Sequence, residues 1–199
     1  MRGFRYRRPM PATPPARCPW AGSDVLMTRY HDEEWGAPVH DDVELFERLA
    51  LESFQAGLSW STILRKRDAF RGAFEGFDPS VVAAYDEADR ARLMADAGIV
   101  RNRAKIDATI GNAAALLETA AEFGSFDAYL ATMIPPSPLR LGSSARIGDI
   151  PATTEASDRL SADLKARGFR FVGSTIVYAF MQSVGLVDDH LPECFRYQG

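Results

Sequence analysis

The sequence predicts an all-α fold. Side chains suited to capping helices recur along it, apolar residues follow them at spacings of three and four, and alternating runs of strand type are almost absent. Asp41 or Asp42 can cap a helix that runs to about residue 56 and stops at Gly57. Ser59 caps the next, in which Trp60, Ile63, Leu64 and Phe70 mark the side expected to be buried. Asp78 followed by Pro79 pairs a cap with a proline at the first helical position, where no backbone N–H is needed. A further helix is expected over about 86–97, ended by Gly98. Over 102–123, Ile106, Ile110, Ala113 and Leu117 fall on one stripe ahead of Gly124, which makes this the longest expected helix. Pro135, Pro136, Pro138, Gly142 and Pro151 turn residues 134–151 into a linker or extended loop. Helical pattern resumes over about 154–166 and again over 174–184, and no internal repeat is present.

At 199 residues the chain can bury one sizeable core, or at most two small ones, and 46% hydrophobic with 25% charged residues is ordinary for a globular protein. No apolar run reaches the roughly 18 residues of a membrane helix, so the default expectation is a cytoplasmic protein, taken to be a monomer. Residues 1–17 hold five arginines, four prolines and no acid, and are expected to form a disordered basic arm ahead of an all-α domain over 18–199. Outside the arm, 18 basic side chains stand against 27 acidic ones, so charge alone argues against a nucleic-acid binder. Any DNA contact must come from basic groups gathered on one face. The candidates are Arg65, Lys66, Arg67 and Arg71, then Arg101, Arg103 and Lys105, then Lys165, Arg167 and Arg170, with solvated helix faces as the alternative.

The only two cysteines and two of the three histidines sit near opposite ends: Cys18 and His31 early, His190 and Cys194 late. Cys-x12-His with His-x3-Cys could close a tetrahedral Cys2His2 zinc site. Roughly 160 residues separate the pairs, far beyond a zinc finger's span, so the ion would staple a larger fold. The alternatives are buried free thiols beside surface histidines, or a Cys18–Cys194 disulfide, which no secretory signal favours.

Within the first expected helix, Glu52 shares a stripe with Leu45, Leu49 and Ala56, and a carboxylate aimed at a core is costly unless something there needs its charge. The alternative is a half-exposed side chain on the edge of the stripe. Directly after it, residues 55–60 form a tight turn between helices, where an apolar side chain such as Leu58 beside Gly57 could act as a wedge or simply pack. Residues 165–175 end one helix, turn through glycine and open another, presenting free N–H groups suited to a phosphate without any need for net basic charge.

Several stretches, in this order, carry a resemblance: Arg17-Cys18-Pro19-Trp20, Tyr30-His31-Asp32-Glu33-Glu34-Trp35-Gly36, Leu51-Glu52, Gln55-Ala56-Gly57-Leu58-Ser59-Trp60, Asp96-Ala97-Gly98-Ile99 and Gly168-Phe169-Arg170-Phe171-Val172-Gly173. Together they resemble the DNA-3-methyladenine glycosylase I family, over nearly the whole chain from Cys18 to about Cys194. The resemblance implies a helix-hairpin-helix glycosylase fold acting on double-stranded DNA, with Phe171, Val172 and Gly173 as the hairpin and Ser174 opening its second helix. It also implies a structural zinc ion on Cys18, His31, His190 and Cys194, and a base pocket lined by Glu52, Trp60 and Tyr30. Lyase activity is not implied, because Ser174-Thr175 stands where relatives that also cut the backbone carry a lysine.

The chemistry expected of such a pocket is selection more than acid catalysis. Methylation at N3 makes the adenine cationic within the nucleotide and a good leaving group, so a buried carboxylate and aromatic faces would choose the cation over neutral adenine. Two positions depart from the family's usual pattern, Met27 for a tyrosine and Phe54 for a polar residue, and both are expected to make the pocket greasier. Asp188 lies where other helix-hairpin-helix glycosylases carry a catalytic aspartate, and is expected instead to support His190.

Overall fold

The computed structural model describes residues 15–135 and 138–198. Among these it contains nine α-helices: α1 (Val25–Glu33), α2 (Asp42–Gln55), α3 (Trp60–Ala73), α4 (Pro79–Ala83), α5 (Glu87–Ala95), α6 (Arg103–Phe123), α7 (Phe126–Met133), α8 (Glu155–Ala166) and α9 (Ser174–Ser183). The caps expected at Asp41, Ser59 and Asp78 operate as such, accepting from the Glu44, Thr62 and Ser80 amides, and the expected helix starts at Asn102 and Thr154 are also capped, accepting from Lys105 and Ser157.

α2 is the centre of the molecule. Residues 45–54 are buried without interruption, so the helix is covered on all sides, and α3, α6, α7 and α9 pack around it. Phe54 points into the main core, with its ring 4.7 Å from that of Phe70 and 5.9 Å from that of Phe74. The expectation that Phe54 makes the pocket greasier is therefore corrected: it faces away from any cavity. A smaller cluster of Cys18, Tyr30, Trp35, Leu64, Leu191 and Cys194 joins the two terminal segments beside α1 and α3.

Four further expectations are corrected. α5 ends at Ala95 because Asp96 turns extended and accepts a hydrogen bond from the Gly98 amide. Leu117 is 37% exposed while Leu116 is buried, so the buried face of α6, which packs against α4, α5 and α7, passes through Leu116 instead. α1 and α7 are helices that the apolar pattern does not announce. α1 exposes Val25 and Leu26 and buries Tyr30 and His31, and the eight-residue α7 starts on Asp42, whose carboxylate accepts from the Phe126 and Asp127 amides. Finally, the loop over 134–151 contains β1 (Leu139–Arg140), which pairs in parallel with β2 (Val187–Asp188) after α9.

Of the basic arm expected over 1–17, residues 1–14 lie outside the described residues. Arg17 belongs to the folded domain, its guanidinium donating twice to Asp32, at 2.8 Å from Nε and 2.7 Å from Nη2.

Candidate active site

The covered helix α2 carries three buried charged side chains, and two of them are paired. Glu47 receives Arg71 at 2.9 Å, and Arg48 lies 2.8 Å from Glu44 and 3.1 Å from Glu34. Glu52 alone has no hydrogen-bond or ion-pair partner among the described residues, although it is 5% exposed. Its remaining exposure is to a cavity of about 350 Å³, in the size range of small-molecule sites. Burial pushes the carboxyl up to about 8, opposed by Arg48 one turn earlier.

Tyr30 and Met27 from α1, Trp60 from the start of α3, and Trp20 and Trp35 line the same cavity. The rings of Tyr30 and Trp60 lie 5.1 Å apart at 48°. The Trp60 Nε1–H is buried with no partner among the described residues. Burial and the nearby Glu52 hold the Tyr30 hydroxyl neutral. The sequence-predicted Glu52, Tyr30, Trp60 and Met27 are thus brought together. Gln55, Ile150, Ala179 and Gln182 complete the lining and were not anticipated; only Gln55 lay in a recognisable motif, because the others arrive from distant segments.

Next to this cavity the termini meet. The ligand atoms of Cys18, His31 and Cys194 lie within 4.8 Å of one another, and His31 Nε2 is 3.4 Å from Cys194 Sγ. His190 falls outside that radius, with its ring 5.2 Å from that of His31, but its Nε2 is buried and has no partner among the described residues. Each Nδ1 is committed to a carboxylate, His31 to Asp32 at 2.8 Å and His190 to Asp188 at 2.7 Å, which leaves Nε2 as the ligand face of both rings. Both thiols are free, not bridged, and each sulfur accepts a backbone amide, from Leu191 and from Arg196. The orphaned Nε2, the anchored imidazoles and the N–H donors to sulfur fit a tetrahedral cation. Gly36 is required here: its φ is +75° and a Cβ would sit 2.8 Å from His190 Cε1. Asp188 does not line the cavity; its other oxygen lies 3.5 Å from Arg140.

Two surface turns adjoin helices that line the cavity. In the α2–α3 turn, Gly57 has φ +82° and Leu58 stands 41% exposed between the lining residues Gln55 and Trp60. Between α8 and α9, Phe171 takes a left-handed φ of +54°, Val172 buries its side chain, Gly173 caps α9, and the Ser174 hydroxyl is held by Ser157 and Asp158. Val172 and Ser174 thus offer a ligand only their backbone. Most of the basic clusters are occupied internally: Arg65 pairs with Asp24, Lys66 with the Ala97 and Gly98 carbonyls, Arg67 with Glu34, Arg103 with Glu87, and Arg167 with Glu122. Among the described residues, the Arg101, Lys165 and Arg170 side chains have no ion-pair partner, and the last two flank the α8–α9 turn.

The arrangement has known counterparts. The methyladenine glycosylase family matches residues 20–197. The DNA-3-methyladenine glycosylase 1 of Escherichia coli K12 is 48% identical over 92% of this chain and 97% of its own. Among solved structures, a 3-methyladenine DNA glycosylase I superposes with a TM-score of 0.88 at 46% identity, over 92% of this chain and all of that one. The Staphylococcus aureus 3-methyladenine DNA glycosylase I, whose structure describes 3-methyladenine recognition, gives 0.86 at 37% identity, over 90% of this chain and 95% of its own. With identity this high across nearly the full length, the chain belongs to the methyladenine glycosylase family.

Proposed function

We propose that this protein is a monofunctional DNA glycosylase that takes 3-methyladenine out of duplex DNA and hydrolyses its glycosidic bond, as part of base excision repair in the cytoplasm. The observation that carries this reading is the buried carboxylate of Glu52, unpaired among the described residues and facing an aromatic-walled cavity. A neutral ligand gives no reason to bury an unpaired acid; a cationic base does. Glu52 attracts the positive charge of the 3-methylated adenine, and the faces of Trp60 and Tyr30 add cation–π contact. Met27 packs against the same base.

In the reaction, water adds to the sugar C1′ as the bond to N9 breaks, the bonding pair leaves with the base and neutralises its charge, the water gives up one proton to solvent, and free 3-methyladenine and an abasic site result. The base departs already activated by its charge, so no strong acid is needed. The Glu52 carboxylate helps stabilise the developing positive charge on the sugar. Leu58 fills the space the flipped base vacates, and the N–H groups of the α8–α9 turn hold the backbone. Ser174 and Thr175 offer no amine to attack the sugar, so the enzyme stops at the abasic site. Cys18, His31, His190 and Cys194 would hold a structural zinc ion; four protein ligands leave no place for a catalytic water, so the ion's work is to tie the terminal segments. The protein acts as a monomer.

The test is release of free bases from alkylated duplex DNA, resolved chromatographically, beside a Glu52→Ala control. Selective release of 3-methyladenine that the substitution abolishes is expected. Release undiminished in Glu52→Ala would remove the pocket's assigned role, and a folded protein that binds an abasic-site mimic yet releases nothing would be a damaged-DNA-binding module.

A further inference from the structure

The α8–α9 turn is held from the inside by three side chains on three different helices. Asn112 of α6 clamps Arg170 from both sides, donating from Nδ2 to its carbonyl at 2.9 Å and accepting its amide at Oδ1 at 2.7 Å. Ser53 of α2 shares its single hydroxyl proton between the Leu49 carbonyl on its own helix at 2.9 Å and the Phe171 carbonyl at 3.0 Å, and Ser161 of α8 donates to the Val172 carbonyl at 2.7 Å. All three side chains are buried. The carbonyls of three successive turn residues therefore point inward and are satisfied, while the N–H groups of Phe171, Val172, Gly173 and Ser174 have no acceptor among the described residues. Phe171 sits at φ +54°, a conformation that a side-chain-bearing residue keeps only where its surroundings enforce it.

The position of Ser53 links this turn to the cavity. It is the residue after Glu52 on a helix buried all round, so consecutive side chains of α2 face the cavity and the turn. Its hydroxyl fixes the distance between the carboxylate that selects the base and the amides that would grip the phosphate. We infer that Ser53 and Asn112 are positioning residues: they hold the α8–α9 turn in its DNA-gripping shape and in register with the base cavity, without touching the base themselves. This rests on the proposed DNA substrate. It assigns DNA affinity and base affinity to separable sets of residues.

The separation is measurable. Ser53→Ala removes one bond with little change in volume, and Asn112→Asp keeps the acceptor for the Arg170 amide while losing the donor to its carbonyl. Affinity for a duplex bearing an abasic-site analogue, read by fluorescence anisotropy, is expected to fall roughly tenfold in each, the usual scale for one lost buried hydrogen bond. On a duplex carrying 3-methyladenine the loss should appear in KM with kcat within about twofold. Binding of free 3-methyladenine, read by tryptophan quenching, should stay within about twofold, because the cavity is intact. Unchanged duplex affinity in both variants, or duplex and free-base affinity falling together, would overturn the assignment. Anisotropy does not depend on turnover, so absence of base release from the parent protein would count against the proposed reaction and not against the clamp.

Discussion

Two buried clusters of ionisable groups sit side by side, sharing Trp20 and Trp35 as a common wall, and they are built in opposite ways. In the clasp every anchoring atom is engaged: His31 and His190 each give Nδ1 to a carboxylate, each sulfur takes an amide, and the rings of Trp20 and Trp35 pack on the imidazoles at 5.2 and 4.7 Å. In the cavity the decisive group, Glu52, has no partner among the described residues. Under the proposed zinc reading, the clasp is anchored from behind because reorganisation would weaken its hold on the ion. A cavity proposed to admit a cation and release it keeps its carboxyl free of fixed partners.

Breaking the clasp should have the largest effect. Stripping the metal, or replacing Cys194 by Ser, is expected to lower Tm by roughly 10 °C or more, while protein still folded at low temperature continues to release base. Calorimetry beside the release assay distinguishes the two, and a chelated, folded sample with no turnover would erase the contrast between the clusters.

Glu52→Gln comes next, with kcat/KM for base release expected to fall roughly 100-fold. The rise of the parent's kcat/KM with pH, with its midpoint near the value of about 8 to which burial pushes Glu52, should vanish in the variant. Stability carries the opposite sign. The folded carboxyl binds a proton between its ordinary 4.5 and about 8 while the unfolded one has lost it, so the parent loses stability as pH rises through that window. Urea unfolding should show Glu52→Gln more stable than the parent at pH 9, on the order of 5 kcal/mol, and equal to it at pH 4.

Gly36→Ala probes the clasp more gently. Left-handed backbone and a Cβ 2.8 Å from His190 should cost about 1–3 kcal/mol and lower zinc content measured by elemental analysis. Leu58→Ala is the smallest change. Exposed as it is, Leu58 should leave stability within about 0.5 kcal/mol, raise KM for damaged duplex roughly fivefold and leave free-base binding alone; equal weakening of both affinities would place Leu58 inside the pocket instead.

The helix boundaries were legible in the chain because capping is local: Asp41, Ser59, Asp78, Asn102 and Thr154 each bond an amide two or three residues on, whatever lies beyond. The site residues Glu52, Tyr30, Trp60, Cys18 and His31 were legible from ordered motifs, and Glu52 also from its place on an apolar stripe. What no local pattern contains is the partner of each charge. Residues far apart in sequence decided that Arg65, Arg67 and Arg103 are spent on acids, that Phe54 serves the core and not the cavity, that α7 starts on Asp42, and that Asn112 and Ser53 hold a turn some 60 and 118 residues away. Sequence by itself determined where most of the helices begin and which groups could do chemistry, since both follow from neighbours along the chain; only the tertiary structure revealed α1 and α7 and decided which carboxylate remains unpaired among the described residues, because pairing depends on what folding brings within about 3 Å.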